Sequence, residues 1–250
     1  MYNKLVDELA VCGLNAVKAA AQCHPQNINR LFLRQELLST FGDLCRQLAA
    51  RKRPYKICDD EELLRICKHQ HHQGVVAMVK DADVEPLALS DLELWAGEAK
   101  TGVVLHSVGN ELNLGAIVRA AAFFGVHFVV ISELDTDARL TTAAYRVAEG
   151  GMEHVVIRSV KKTESFLRDA SKKLFTIGTD TRARLRISDL PSLMTGHPGV
   201  ALVLGNEETG LPPDVKQHCG ALLRIPGTGN MESLNVAQAA ALFLHAIYGA

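Results

Sequence analysis

The chain has 250 residues, of which 48 % are apolar and 22 % charged, and its formal net charge at pH 7 is −1. These values are ordinary for a soluble globular protein, and the length suits one large domain or two smaller ones. No apolar run reaches the roughly 20 residues that a membrane-spanning helix needs, which excludes that class of protein.

The N-terminal stretch and the cysteines predict a cytoplasmic protein. The first twenty residues carry acidic side chains and a helical period, which a signal peptide does not have. The six cysteines form no C-x-x-C pair and no disulfide framework, so reduced thiols are expected; they are Cys12, Cys23, Cys45, Cys58, Cys67 and Cys219.

Residues 1–80 alternate between helical and strand patterns, which predicts a small α/β domain. The predicted order is a helix over about 3–22, a strand at 28–34, a helix near 35–51, a strand at 55–58, a helix near 60–68 and a strand at 74–80. Residues 81–100 are acidic, lack a strand pattern and contain Pro86, so they are interpreted as a linker with some helix. Trp95 in this linker is interpreted as a packing anchor.

Residues 101–250 predict a second α/β domain. Short apolar strands alternate with helical or loop segments, and they are expected at 102–108, 126–132, 154–160, 174–179, 199–206 and 221–226. This pattern favours a mostly parallel sheet that is covered on both faces. Ligands of such sheets bind at the carboxyl ends of the strands.

Three unusual segments follow predicted strands at that kind of position: GNELNLGAIVR (109–119), GNEETGL (205–211) and GTGNMESLN (227–235). The first enters a helix that Gly125 ends, and the third enters a helix that starts near Ser233 and stops at Gly249. Because the carboxyl ends of parallel strands share one edge of a sheet, three such segments indicate a binding site.

The third segment has simpler interpretations of its own. Gly227 and Gly229 are suited to a tight turn, and Ser233 is suited to capping the following helix. The segment also nearly matches the dinucleotide fingerprint G-x-G-x-x-G, with Glu232 in place of the third glycine. A nicotinamide-dependent oxidoreductase is therefore kept as an alternative.

Taken together, the three segments resemble the motifs of the SpoU (TrmH-type) RNA ribose 2′-O-methyltransferases of the SPOUT superfamily. The order and spacing of the motifs agree over about residues 101–250, and Gly227 stands where many members carry Met. The matching residues are Asn113, Gly115 and Arg119 in the first motif, Leu204, Gly205, Glu207, Gly210 and Leu211 in the second, and Ile225, Pro226, Ser233, Leu234, Asn235 and Val236 in the third.

The resemblance implies a trefoil-knotted methyltransferase domain at 101–250 that binds S-adenosyl-L-methionine in a bent pose against the second and third motifs. Ile225 and Leu234 would sandwich the adenine. The residues implied in cofactor binding are Leu204, Gly205, Asn206, Glu207, Ile225, Pro226, Gly229, Met231, Ser233 and Leu234.

The resemblance also implies partners. Residues 1–80 look like the RNA substrate-binding domain that is often attached to these enzymes, which is similar to kink-turn-binding ribosomal proteins; GLNAVKAA (13–20) and HQGVVAMV (72–79) carry that match. Structured RNA, either rRNA or tRNA, is the implied substrate. Family members pair through the knotted domain, so a homodimer through the C-terminal domain is expected.

Arg119 is the predicted catalytic residue. Methyl transfer to a ribose hydroxyl is an in-line displacement that needs alignment and loss of a proton. Arginine is nearly always protonated, so Arg119 is expected to stabilise the developing alkoxide or to hold the target phosphate rather than to act as a base. Asn113, Glu207, Ser233 and Asn235 are expected to position it and the ribose through hydrogen bonds, with a purely structural role for Glu207 as the alternative.

The distribution of charge supports an RNA partner more than the total does. Residues 1–80 carry a net charge of +4 and residues 81–250 carry −5. Within the second part, residues 158–186 hold nine basic and three acidic residues. Such a cluster beside a site suits a polyanion, although a solvated face is the commoner meaning.

Two further alternatives remain open. Cys67, His69, His71 and His72 invite a zinc interpretation, but no spaced partner pair exists elsewhere, so no metal is predicted and a polar loop that faces RNA is favoured. The chain is also compatible with a non-catalytic RNA-binding protein that descends from a methyltransferase. The intact set of polar motif residues argues against that loss.

Overall fold

The computed structural model describes residues 2–3, 8–80, 84–134, 140–197 and 199–249. The chain forms two compact units. The first contains Met1–Asp83 and Arg139–His154, and the second contains Val84–Ala138 and Val155–Ala250. Residues 84–100, which the sequence predicts as a linker, thus belong to the second unit, and 139–154 joins the first.

The first unit is a mixed five-stranded sheet with helices. Its strands follow the order β1-β2-β5-β3-β4, in which only β3 and β4 are parallel. Alternate strand residues lie in two separate apolar clusters, so both faces of the sheet are buried. In chain order the elements are β1 (Tyr2–Asn3), β2 (Glu8–Cys12), α1 (Leu14–Cys23), β3 (Ile28–Leu33), α2 (Gly42–Ala50), β4 (Tyr55–Ile57), α3 (Asp60–Cys67) and β5 (Val75–Lys80).

The predicted helix over 3–22 is wrong in its first half. Residues Glu8–Cys12 form a fully buried strand between β1 and β5, and Gly13 separates it from α1 with a φ of 103°. The apolar residues of this stretch fit a helical period, but pairing with β5 buries every one of the five residues. Long-range pairing therefore overrides the local pattern.

The second unit is built on a seven-stranded sheet in which every pairing is parallel, in the order β10-β12-β9-β11-β6-β7-β8. The predicted α/β fold class with a mostly parallel C-terminal sheet is confirmed. From residue 84 onward the elements are α4 (Leu89–Gly97), β6 (Thr101–Leu105), α5 (Glu111–Phe124), β7 (Phe128–Ser132), α6 (Thr142–Ala148, in the first unit), β8 (Val156–Val160), α7 (Thr163–Ala170), β9 (Phe175–Thr179), β10 (Leu185–Arg186), α8 (Leu190–Met194), β11 (Val200–Leu204), α9 (Pro213–Lys216), β12 (Ala221–Arg224) and α10 (Val236–Tyr248).

Trp95 anchors α4 to this sheet, as the sequence predicts. Its side chain is fully buried, its indole N–H donates to the carbonyl of Val200 at 3.0 Å, and its ring stacks on Phe128 with centroids 5.2 Å apart. A methyl group on Gly102 would lie 2.1 Å from the indole ring, so glycine is needed opposite the tryptophan. The segment before β6 is therefore part of the core.

The strand order brings the carboxyl ends of β6, β11, β9 and β12 to one edge of the sheet. The segments that leave these strands are 106–110, 205–212, 180–184 and 225–235. The second and fourth of these contain the second and third sequence motifs as far as they follow the strands, and the first leads directly into α5, which carries the first motif. Within the described ranges, no helix has both the length and the apolar character that crossing a membrane requires.

Candidate functional site

A chain of two hydrogen bonds joins the three sequence motifs. The side-chain amide of Asn235 donates to the Asn113 oxygen at 3.0 Å, and the Asn113 amide donates to a carboxylate oxygen of Glu207. In the sequence, Asn113 lies 122 positions from Asn235 and 94 positions from Glu207. One polar residue from each motif therefore meets at the edge of the sheet.

The first motif forms the beginning of α5. Asn110 caps this helix by accepting from the backbone N–H of Leu112 at 2.8 Å, and Gly125 ends it in the left-handed conformation. Asn113 lies in the first turn, and Arg119 lies on the exposed side of the same helix. The apolar residues Leu114, Ile117, Val118 and Ala121 are buried, as their spacing predicts.

The second motif is a tight turn after β11. The backbone N–H of Gly210 donates to the carbonyl of Asn206 at 2.9 Å, and the Asn206 side chain accepts from the backbone N–H of Glu208 at 2.9 Å. A Cβ on Gly205 would lie 2.5 Å from the carbonyl carbon of Gly210. Only glycine permits this approach of the two chain segments, and the turn sets the position of Glu207.

The third motif leads into α10, and its cap differs from the predicted one. Asn235, not Ser233, caps the helix: its oxygen accepts from the backbone N–H groups of Ala237 at 2.9 Å and Gln238 at 3.4 Å. Ser233 is exposed two residues earlier. Asn235 thus stabilises the helix with its oxygen and holds Asn113 with its nitrogen.

A cavity of about 790 Å³ lies beside this hydrogen-bond chain. Its size falls within the range of small-molecule sites. Glu207 and Ser233 line it, whereas Asn113, Arg119 and Asn235 are not among the described residues of its wall. All ten residues predicted for cofactor binding do line it: Leu204, Gly205, Asn206, Glu207, Ile225, Pro226, Gly229, Met231, Ser233 and Leu234.

The cavity wall also contains charged residues that the sequence analysis did not assign to the cofactor site. Asp180 and Arg182 follow β9, Lys216 is on α9, and Arg224 ends β12. Lys216 lies 2.7 Å from the Asp180 carboxylate, which also accepts from the backbone N–H of Arg182 at 2.9 Å. Burial opposes ionisation of Asp180, but these hydrogen bonds outweigh it and hold the pKa of its carboxyl below the usual value. Of these residues, Arg224 gives a signal in the sequence, because it interrupts an apolar run.

The histidine cluster of the first unit has a local structural role. His72 is buried, its ring accepts from the backbone N–H of Gly74 at 3.1 Å, and burial lowers its pKa. His69 accepts from the backbone N–H of His71 at 3.1 Å. In the part of the chain that the structure describes, no three His, Cys, Asp or Glu side chains are grouped to hold a metal ion.

The basic run at 158–186 divides into two groups. Acidic neighbours lie within 4 Å of Arg158, Arg168, Lys172 and Lys173. The members of the second group are exposed and form no ion pair with any described residue. They are Lys161, Lys162, Arg182, Arg184 and Arg186. Arg182, Arg184 and Arg186 lie in the segment between β9 and α8, and Arg182 reaches the cavity.

Comparison with known families and proteins fits this geometry. The profile described as the SpoU rRNA Methylase family matches residues 100–245, and the profile described as RNA 2′-O ribose methyltransferase substrate binding matches residues 10–84. The chain belongs to the SpoU rRNA methylase family. The resemblance inferred from the three motifs is thereby confirmed, together with its assignment as an S-adenosylmethionine-dependent RNA ribose 2′-O-methyltransferase.

Individual SpoU relatives align over nearly the whole chain. A protein named 23S rRNA (guanosine-2′-O-)-methyltransferase RlmB from Neisseria meningitidis serogroup B is 30 % identical over 96 % of this chain and 94 % of its own length. The uncharacterized tRNA/rRNA methyltransferase YfiF of Escherichia coli O157:H7 is 31 % identical over 95 % of this chain and 67 % of its own. The AdoMet-bound rRNA methyltransferase of Sinorhizobium meliloti has the same fold, with a TM-score of 0.79 at 23 % identity over 96 % of this chain and 87 % of that one.

Proposed function

We propose that this SpoU enzyme binds S-adenosylmethionine in the cavity beside the second and third motifs and methylates a ribose 2′-hydroxyl of ribosomal RNA. The observation that carries the proposal is the hydrogen-bond chain from Asn235 through Asn113 to Glu207, because it ties the first motif to the second and third motifs, whose residues line one cavity. The names of several relatives support ribosomal RNA as the substrate. An enzyme that acts on ribosomal RNA is proposed to be cytoplasmic.

The residues of the cavity fit the cofactor. Leu204, Ile225 and Leu234 supply apolar surface for an adenine ring, and the Gly205 turn keeps backbone groups close to it. When bound, S-adenosylmethionine supplies a methyl group that its sulfonium centre makes electrophilic. The carboxylate of Glu207, which lines the cavity, favours a positively charged ligand there.

Arg119 is proposed to act on the RNA rather than on the cofactor. It is exposed on α5 and outside the described cavity wall, on the same helix as Asn113. Methyl transfer to the ribose oxygen would release the hydroxyl proton, which would pass to solvent or to a neighbouring acceptor. A guanidinium at the ribose stabilises the negative charge that develops on this oxygen.

Two surfaces are proposed to hold the RNA. Residues 1–80, whose net charge is +4, match the substrate-binding family and are proposed to select the RNA. Arg182, Arg184 and Arg186, which are exposed and have no ion-pair partner among the described residues, are proposed to contact phosphates near the cavity. Each phosphate contact releases counterions, so affinity for RNA is expected to fall steeply with salt.

The enzyme is proposed to be a homodimer through its second unit. Helix α5 packs against α10, and this pair exposes large apolar side chains. Phe123 of α5 is 82 % exposed, which is unusual for an aromatic side chain on a helix that packs against its neighbours. Single exposed apolar residues are common, but several on two packed helices suit a protein interface; they are Leu112, Phe123, Leu242 and Tyr248.

Two measurements test the function. Calorimetric titration with S-adenosylmethionine, and with NAD in parallel, should show binding of the first only. Mapping of 2′-O-methyl groups in total RNA from a deletion strain should then show one or more sites lost from ribosomal RNA and restored by the wild-type gene. A protein that binds RNA but not S-adenosylmethionine would instead be the lapsed, non-catalytic relative.

A further inference from the structure

Arg224 is a basic side chain of the cavity wall to which the proposed reaction gives no role. It is the last residue of β12, opposite Arg186 of β10. Its Nε is buried and makes no hydrogen bond with any described residue. The guanidinium also has no ion-pair partner among them. A positive group that is partly removed from water and unpaired is costly, so the site is suited to an anion.

The acidic side chains of the cavity wall either interact with other residues or form no ion pair with Arg224. Asp180 is held by Lys216 and by the backbone of Arg182, and Glu207 accepts from Asn113. Glu208 and Glu232 also line the cavity but form no ion pair with Arg224. The counter-charge for Arg224 is therefore expected to come with the ligand.

We propose that Arg224 binds the carboxylate at the amino-acid end of S-adenosylmethionine. This inference rests on the proposed placement of the cofactor in the cavity. The cofactor carries two positive groups, the sulfonium and the ammonium, and one negative group, the carboxylate. The wall has four acidic side chains, which suit the two positive groups. Of its three basic side chains, Lys216 is paired with Asp180 and Arg182 is exposed. Arg224 is both partly buried and unpaired among the described residues.

An RNA phosphate suits Arg224 less well. Its Nε is covered by protein atoms, whereas Arg182, Arg184 and Arg186 expose their side chains. A phosphate on a folded RNA is attached to bulky sugars and reaches exposed guanidinium groups more readily. A free carboxylate at the end of a flexible chain can approach the terminal nitrogens of Arg224 from inside the cavity and pair with two of them.

The test compares two cofactors on two proteins. S-adenosylmethionine and decarboxylated S-adenosylmethionine, which lacks only the carboxylate, are titrated by calorimetry into the wild-type enzyme and into Arg224→Gln. The substitution is expected to weaken S-adenosylmethionine roughly 10- to 100-fold, as for the loss of one charge-assisted hydrogen-bonded pair, and to change the affinity for the decarboxylated form less than about 3-fold. Arg224→Lys should fall between the two, because it keeps the charge without the bidentate geometry.

The controls separate the possible failures. Arg184→Gln should lower RNA affinity and leave the affinity for both cofactors unchanged, and thermal unfolding of each variant checks its fold. An Arg224→Gln protein that loses RNA affinity but keeps its preference for S-adenosylmethionine would show a phosphate site instead. Equal binding of both cofactors to wild type and variant overturns the inference, whereas no binding of S-adenosylmethionine to the wild type would overturn the proposed function itself.

Discussion

Asn113 is the residue on which both hydrogen bonds of the site depend. Its oxygen accepts from Asn235 and its nitrogen donates to Glu207, so its amide has a single orientation that satisfies both neighbours. A carboxamide is the group that combines one acceptor and one donor in this way. The motif spacing indicates that these residues meet, but the direction of the bonds comes only from the structure.

Replacing Asn235 with Asp should separate the two roles of this residue. Asp is as good a helix cap as Asn, so the free energy of unfolding should change by less than about 0.5 kcal/mol. However, the introduced carboxylate has no hydrogen to donate to Asn113, and one hydrogen bond of the chain is lost. We expect the single-turnover methylation rate to fall at least about 10-fold, the cost of one hydrogen bond. Asn235→Ala is the comparison, because it should lower both stability and rate; a normal rate in Asn235→Asp would contradict the proposed role.

Replacing Arg119 with Ala should affect the chemical step. We expect near-normal binding of S-adenosylmethionine and of RNA, with the methyl-transfer rate lowered by about 10²–10³, the usual scale for losing one group that stabilises charge in the transition state. Single-turnover kinetics and separate binding titrations measure the two effects. Arg168→Ala, which removes an exposed arginine of α7, is the matched control. Full activity in Arg119→Ala would support a different catalytic residue.

At the scale of secondary-structure elements, the sequence predicted what local patterns determine. The six apolar strands of the second unit, α5 with its glycine stop and the position of α10 all follow from periodicity and capping. Strand β2 does not follow from a local pattern, because its burial depends on pairing with β5, which lies far along the chain. Edge strand β10 is too short for any pattern, since it has only two residues.

The same limit explains which parts of the site were missed. The three motif loops are glycine-rich and polar, so they stand out in the sequence. The Asp180 loop does not, because its role arises from β9 lying next to β12, where the backbone N–H of Asp180 donates to Leu223 at 3.0 Å. Neighbouring strands in a parallel sheet are set by topology rather than by chain order, and the sequence alone does not give that order.

Replacing Gly205 with Ala tests whether the second-motif turn shapes the cavity. The added methyl group would overlap the backbone of Gly210, so the backbone itself must move, because no flexible side chain lies there to shift instead. We expect the affinity for S-adenosylmethionine to fall more than about 10-fold by calorimetry, equivalent to about 1.4 kcal/mol. Gly227→Ala is the matched control in the third motif, because nothing lies within 4 Å of its added methyl group. Equal effects of the two substitutions would refute this account.

At the scale of the whole molecule, the start of the second unit at Val84 indicates where the N-terminal part can be removed without losing α4. A protein that spans residues 84–250 keeps α4 and Trp95 and should retain the wild-type affinity for S-adenosylmethionine, while it loses RNA affinity and most turnover. A protein that spans 97–250 lacks the tryptophan and should be destabilised by about 3–5 kcal/mol, the usual cost of removing a buried tryptophan side chain. Chemical denaturation and calorimetry compare the two. If 84–250 methylates RNA at the full rate, the first unit is not the recognition domain.

Replacing Phe123 with Glu tests the proposed dimer. A charge on the exposed apolar group of α5 and α10 would be buried without a partner in the interface, so the variant should be a monomer at micromolar concentration by light scattering. Leu89→Glu is the control, because Leu89 is also largely exposed but lies at the start of α4. A monomeric wild-type protein, or a dimeric Phe123→Glu protein, would count against this interface.

The hydrogen-bond chain also places the completion of the site late in biosynthesis. Its first and last members, Asn113 and Asn235, are 122 positions apart, so the ribosome adds the second long after the first. A nascent chain that already contains the first unit and most of the parallel sheet still lacks one wall of the cavity. Products that end before the third motif therefore lack part of the proposed cofactor site, so S-adenosylmethionine is expected to stabilise the finished enzyme and not such fragments.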